Sequence, residues 1–195
     1  MNSILLKQTH LVWIFSIYNI GIGFFITGFN PIAKSISHVA LEAPFFAYTH
    51  RTADIVIGFS MCLFAFVAQR LHRSRITLAT LSIFLLGVSM ISAGIWTLES
   101  RLHLLYGLSI FMVLIPVAYA FEFESMIESK AFREFCLLLS FIHVFMFWLI
   151  YAGFIPSQYN GLIQRIWAIP TMGWFGWAVH VLVQQAANKP SQSDS

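Results

Sequence analysis

Long apolar runs alternate with short polar breaks along this chain, and six of the runs approach the length of a bilayer-crossing helix: residues 9–29, 53–71, 76–98, 102–121, 135–154 and 162–183. A stretch of ~20 apolar residues spans the ~30 Å hydrocarbon core when helical, because a helix satisfies its backbone N–H and C=O groups internally. The pattern predicts an all-α fold: an integral membrane six-helix bundle forming one domain over residues 1–184, followed by a disordered polar tail over 185–195. The tail closes on Lys189-Pro-Ser-Gln-Ser-Asp-Ser195, which has nothing to bury. The first run lacks the short apolar core and small-residue cleavage site of a removable signal peptide and is expected to remain as the first crossing.

An even number of crossings puts both termini on one side. Lys7, Arg70, Arg73, Arg75, Lys130, Arg133 and Lys189 then share that side, against Lys34, Arg51, Arg101 and Arg165 opposite. Short loops rich in Lys and Arg stay in the cytoplasm, so both termini are expected to be cytoplasmic. On this topology residues 30–52 form the longest outer loop, and the one-sided apolar stretch Ile32 to Leu41 is expected to be a short interfacial helix. Residues 122–134 alternate charges and are expected to form a solvated helical connector. Pro116 and Pro170 fall inside the fourth and sixth runs and are expected to kink them.

Composition supports a membrane environment. Hydrophobic residues make up 58% of the chain and charged residues 10%, where soluble domains carry about 25% charged residues. The formal charge of +3 comes from basic residues scattered among loops, so no nucleic-acid partner is expected. The expected partners are membrane lipids and a small-molecule ligand. Cys62 and Cys136 lie in or beside apolar runs, where thiols behave as small hydrophobes, and no disulfide between them is expected.

Candidate chemistry concentrates in three polar clusters: His50-Arg-Thr-Ala-Asp54, Glu99-Ser-Arg-Leu-His103 and Gln164-Arg165. The predicted topology brings all three to one face of the bilayer. His50 and Asp54 are four residues apart, as are Glu99 and His103, which on a helix places each pair on one face. A carboxylate near hydrocarbon requires a partner, and Arg165 or a histidine is available.

Several uses of this cluster are open. The charges could neutralise one another at helix ends, as interfacial residues commonly do. They could form an outer-facing pocket in which Arg165 and Arg101 hold an anionic or polar group while Asp54, Glu99, His103 and Gln164 orient the rest. His50, Asp54, Glu99 and His103 have the donor types of a zinc site that would activate water against a lipid ester or amide, although no His-Glu-x-x-His motif occurs. Axial haem ligation by His50 and His103, or by His143 and His180, would make an electron carrier. A purely structural membrane protein is the remaining alternative. No cofactor is assigned.

Other polar residues have simpler expected roles. His143 in the fifth run, Asn19 in the first, and Ser60, Ser89 and Ser109 are expected to bond neighbouring helices. Gly21, Gly23, Gly58, Gly87, Gly94, Gly107, Gly173 and Gly176, with Ala93, are expected to permit close helix packing. Trp96, Trp167 and Trp174 fit an interfacial aromatic belt.

The motifs Asp54-Ile-Val-Ile-Gly58, Leu98-Glu99-Ser-Arg-Leu-His103 and Gly161-Leu-Ile-Gln-Arg165, with the span number and loop order, resemble the six-span prokaryotic membrane proteins grouped as domain of unknown function 998. The resemblance implies a multi-pass protein of the bacterial or archaeal cytoplasmic (inner) membrane. It marks Asp54, Glu99, His103 and Arg165 as positions like the family's recurring polar ones, and it implies no particular reaction. His50 and Arg51 belong to none of these motifs.

Overall fold

The computed structural model describes residues 3–72 and 76–188. The expectations resting on Arg73, Arg75 and Lys189, and on the tail beyond residue 188, lie outside the described residues. The described chain folds into helices α1 (Ser3–Lys7), α2 (His10–Ile22), α3 (Pro44–His72), α4 (Leu78–Ile95), α5 (Leu114–Glu122), α6 (Lys130–Tyr151) and α7 (Asn160–Asn188). Tight 3-10 segments intervene at Gly23–Phe25, Ile36–Leu41, Leu105–Val113, Glu124–Met126 and Ser157–Tyr159. No strand occurs among the described residues.

Polar side chains set several of the boundaries by accepting from N–H groups that a helix start leaves free. Thr77 accepts from the N–H of Thr80 at the start of α4, and the Glu122 carboxylate takes the N–H groups of Leu78 and Ala79 at 2.9 and 2.8 Å. Ser129 likewise accepts from the N–H of Phe132 at the start of α6. Arg51 closes the other end of α4, donating to the carbonyls of Gly94 and Ile95.

Five segments are long and apolar enough to cross a membrane: Pro44–His72, Leu78–Ile95, Leu105–Glu122, Lys130–Tyr151 and Ser157–Gln184. The first apolar run departs from its expected single crossing. A break at Gln8 and Thr9 separates α1 from α2, whose 13 residues extend about 20 Å at the usual helical rise. The second crossing begins about nine residues before its expected start, because Pro44 opens α3 and the helix then runs without interruption through the first polar cluster. The interfacial stretch shortens accordingly to the 3-10 segment Ile36–Leu41.

The fourth run is irregular over its first half. Leu105 and Tyr106 adopt left-handed φ values of 45° and 55°, and Gly107 follows at 86°. The regular helix α5 begins only two residues before Pro116. Pro170 sits within α7 without ending it, and that helix continues to Asn188, past its expected end at 183. The expected helical connector at 122–134 is instead a 3-10 turn followed by the first residues of α6, with Glu124 paired to Arg133 at 2.8 Å.

Helices α3 and α4 pack closely through a seam of glycines. A Cβ on Gly87 would fall 2.8 Å from the Gly58 carbonyl oxygen and one on Gly94 would fall 2.6 Å from that of Arg51, so both positions must lack a side chain. Away from this seam, Tyr119, Phe123, Phe132 and Trp174 form a buried aromatic cluster joining α5, α6 and α7. The outward surface carries Phe59, Phe66, Phe84, Phe141, Phe145 and Trp148, as contact with lipid hydrocarbon requires. The chain therefore has the architecture of a multi-pass membrane protein.

Candidate functional site

Asn19 and Asp54 meet where α2 crosses α3, one amide and one carboxyl group amid hydrocarbon. Asn19 Nδ2 donates to Asp54 Oδ1 at 2.8 Å, and both residues are buried. One turn before Asp54 on the same helix, His50 places Nε2 3.4 Å from Asp54 Oδ2. That approach lacks hydrogen-bond geometry, so both ring nitrogens of His50 remain without a protein partner although the residue is only 1% exposed. Asn19 Oδ1 is also buried and unpartnered.

These groups form one wall of a cavity of about 300 Å³ bounded by α2, α3, α4, α6, α7 and the irregular segment before α5. The lining also includes Phe147, Trp167 and Thr171, and the indole N–H of Trp167 is a further buried donor without a protein partner. Thr171 Oγ1 lies 3.0 Å from His143 Nε2 and donates to the Trp167 carbonyl. Met90, Met112 and Met172, with Ile20 and Ile57, give the remaining surface its apolar character. The cavity lies at the lower end of the size range of ligand sites, and its composition is typical of them: mostly apolar, with a few convergent polar groups.

Arg165 lies behind the cavity wall. Its guanidinium donates to the carbonyls of Ile20, Pro31, Lys34 and Gly161 at 2.7–3.2 Å. Gly161 presses against the same turn: a Cβ there would lie 2.5 Å from the Pro31 carbonyl oxygen. Gln164 accepts from the N–H of Ile36 at 2.7 Å, and Leu162 donates its N–H to Ile32. Together these contacts pin residues 31–36 across the opening of α7. Arg165 Nη2 remains buried without a partner.

The sequence-predicted residues thus divide. Asp54, His50 and Gln164 line the cavity. His103 is buried, with Nδ1 donating to the Trp96 carbonyl at 2.7 Å. Glu99 and Arg101 are exposed on the turn after α4. No ion pair joins Arg165 to an acid among the described residues, because backbone carbonyls occupy the guanidinium instead.

The zinc-type arrangement of His50, Asp54, Glu99 and His103 is not assembled. Among the described residues no three His, Cys, Asp or Glu side chains converge on a metal-sized centre; Glu99 is exposed and Asp54 is buried. Of the suggested histidine pair, His143 is buried and His180 is exposed.

Some cavity residues fall outside the predicted site. Asn19 bonds a neighbouring helix as expected, and it also lines the cavity, with Oδ1 buried and unpartnered. Trp167, expected in the interfacial belt, is a cavity wall. Both were marked in the sequence only as polar atoms inside apolar runs. Ser60 and Ser89 do bond neighbouring segments, to Gln8 and Leu104. Cys62 and Cys136 carry free thiols.

The family described as Protein of unknown function (DUF998) matches residues 11–181, a span that contains the cavity and all three polar motifs. No curated protein and no solved structure matches the chain.

Proposed function

Since the chain belongs to the DUF998 family, we propose that it is a six-crossing protein of a prokaryotic cytoplasmic membrane whose intramembrane cavity binds a polar small molecule or a lipid headgroup. The proposed crossings are the five long helical segments together with α2 and its 3-10 extension, all within one domain over residues 1–184. The proposed orientation puts both termini in the cytoplasm. It is supported by the seven basic residues assigned to the terminal side against four opposite.

One observation carries the binding proposal: four buried polar atoms, Asn19 Oδ1, His50 Nδ1 and Nε2, and Trp167 Nε1, lack protein partners and belong to residues lining one cavity. Leaving a buried donor or acceptor unsatisfied costs about 1–3 kcal/mol, and a molecule bound in the cavity could offset that cost for these four atoms. The binding groups proposed are Asp54, His50, Asn19, Gln164 and Trp167. Arg165 and His103 hold the surrounding backbone, and Glu99 and Arg101 have no direct part. An anionic ligand is disfavoured because neither arginine lines the cavity.

The test is mass spectrometry of small molecules and lipids retained by the purified full chain. Wild type is expected to retain a species that Ala168→Trp, which fills the cavity, does not, with the two proteins equally folded. The same extract from both would contradict the proposal.

A further inference from the structure

The polar side of the cavity carries acceptor positions without donors and a formal charge of one sign. Asp54 is the single Asp, Glu, Lys or Arg side chain among the residues lining it. Its carboxyl group has about four acceptor positions, and its protein contacts are the Asn19 donor at 2.8 Å and the ungeometric approach of His50 at 3.4 Å. Asn19 Oδ1 adds a second unpartnered acceptor beside it.

The cation that could have neutralised Asp54 is committed elsewhere, since Arg165 gives hydrogen bonds to four backbone carbonyls. Desolvated carboxyl groups favour a bound positive partner that also donates hydrogen bonds. The lining also includes two aromatic rings, Phe147 and Trp167, which suit a cation better than an anion. Much of the remaining lining is apolar and adaptable, including Met90, Met112 and Met172.

We propose that the cavity takes an organic ammonium group bearing a short apolar chain, with the nitrogen at Asp54 and Asn19 and the chain among the three methionines. This names the ligand class of the binding site proposed above and rests on that proposal. A carboxylate or phosphate headgroup would instead place negative charge against Asp54, with no lining Lys or Arg to offset it.

The test uses the full chain in nonionic maltoside micelles, with empty micelles subtracting simple partition. Three probes share one chain length: octylammonium, octan-1-ol and octanoate. Octylammonium is expected to saturate at one per chain and to bind about tenfold or more tighter than octan-1-ol, the margin of a desolvated charge-assisted hydrogen bond. Octanoate is expected to show no saturable binding. Asp54→Asn should bring octylammonium and octan-1-ol to equal affinity; should that variant fail to fold, the wild-type series decides alone.

Equal or tighter binding of octan-1-ol by wild type would overturn the ammonium class while leaving the cavity as a binding site. Absence of saturable binding by all three probes would overturn both. Added phosphatidylethanolamine separates the two sources of an ammonium group. Displacement of octylammonium supports a lipid headgroup, and undiminished binding supports a free amine.

Discussion

Asn19 donates a 2.8 Å hydrogen bond to Asp54 across 35 residues of sequence, tying α2 to α3 at the floor of the cavity. The bond positions both groups: it fixes the carboxyl orientation and leaves Asn19 Oδ1, in a residue that lines the cavity, buried without a partner. Asn19→Leu should therefore destabilise the bundle by about 1–3 kcal/mol, because the buried carboxyl loses a donor. The double variant Asn19→Leu, Asp54→Leu should recover most of that loss. A double-mutant cycle on chemical unfolding measures the coupling, and additive effects would show that the bond contributes nothing.

Arg165 is expected to be a structural anchor for residues 31–36. Arg165→Met leaves four carbonyls without their donor and should cost about 3 kcal/mol or more. Lysine should recover little, since an ammonium on a flexible stem cannot reproduce the guanidinium fork. Hydrogen exchange should speed up at residues 32–38 in both variants. Unchanged protection there would contradict the anchoring role.

The arginine also shows where the sequence stopped being informative. A cation inside an apolar run announced that Arg165 would be buried and bonded, and it is. Its partners are main-chain oxygens, which any residue type supplies, so residue identities pointed wrongly to the acids. Asp54 was legible for the same energetic reason, and its helix partner His50 followed from the four-residue step. Glu99 and Arg101 are exposed on the turn after α4 while His103 of the same cluster is buried, a difference that the cluster's residue types alone do not encode. The apolar runs marked the crossings well where helices are regular. They misjudged α2 and residues 105–113, where the chain breaks or turns left-handed despite unbroken hydrophobicity.

Glycine substitutions should separate the α3–α4 seam from the remaining glycines. Gly87→Ala and Gly94→Ala introduce a Cβ within 2.8 Å of Gly58 or Arg51 backbone oxygen and should each cost about 1–3 kcal/mol. Gly21→Ala and Gly173→Ala meet nothing within 4 Å and should be neutral or slightly stabilising, as helix propensity favours alanine. Thermal unfolding of the four variants checks the contrast, and equal effects at all four positions would count against the packing described.

The proposed orientation predicts the labelling pattern of single cysteines introduced at Ser100, between α4 and the fourth crossing, and at Ser191 near the C-terminus. A membrane-impermeant maleimide should label Ser100→Cys in intact cells and Ser191→Cys only after the membrane is opened. The reverse pattern would invert the topology.

The central claim is that the cavity bounded by Asn19, His50, Asp54 and Trp167 receives a molecule that partners their free polar atoms. An experimental structure of the full chain in lipid nanodiscs measures this most directly. The account predicts continuous non-protein density larger than water, within hydrogen-bond distance of Asp54 or Asn19 and extending toward the methionine side. A collapsed cavity, with His50 and Asn19 turned onto protein partners and no density between them, would contradict it.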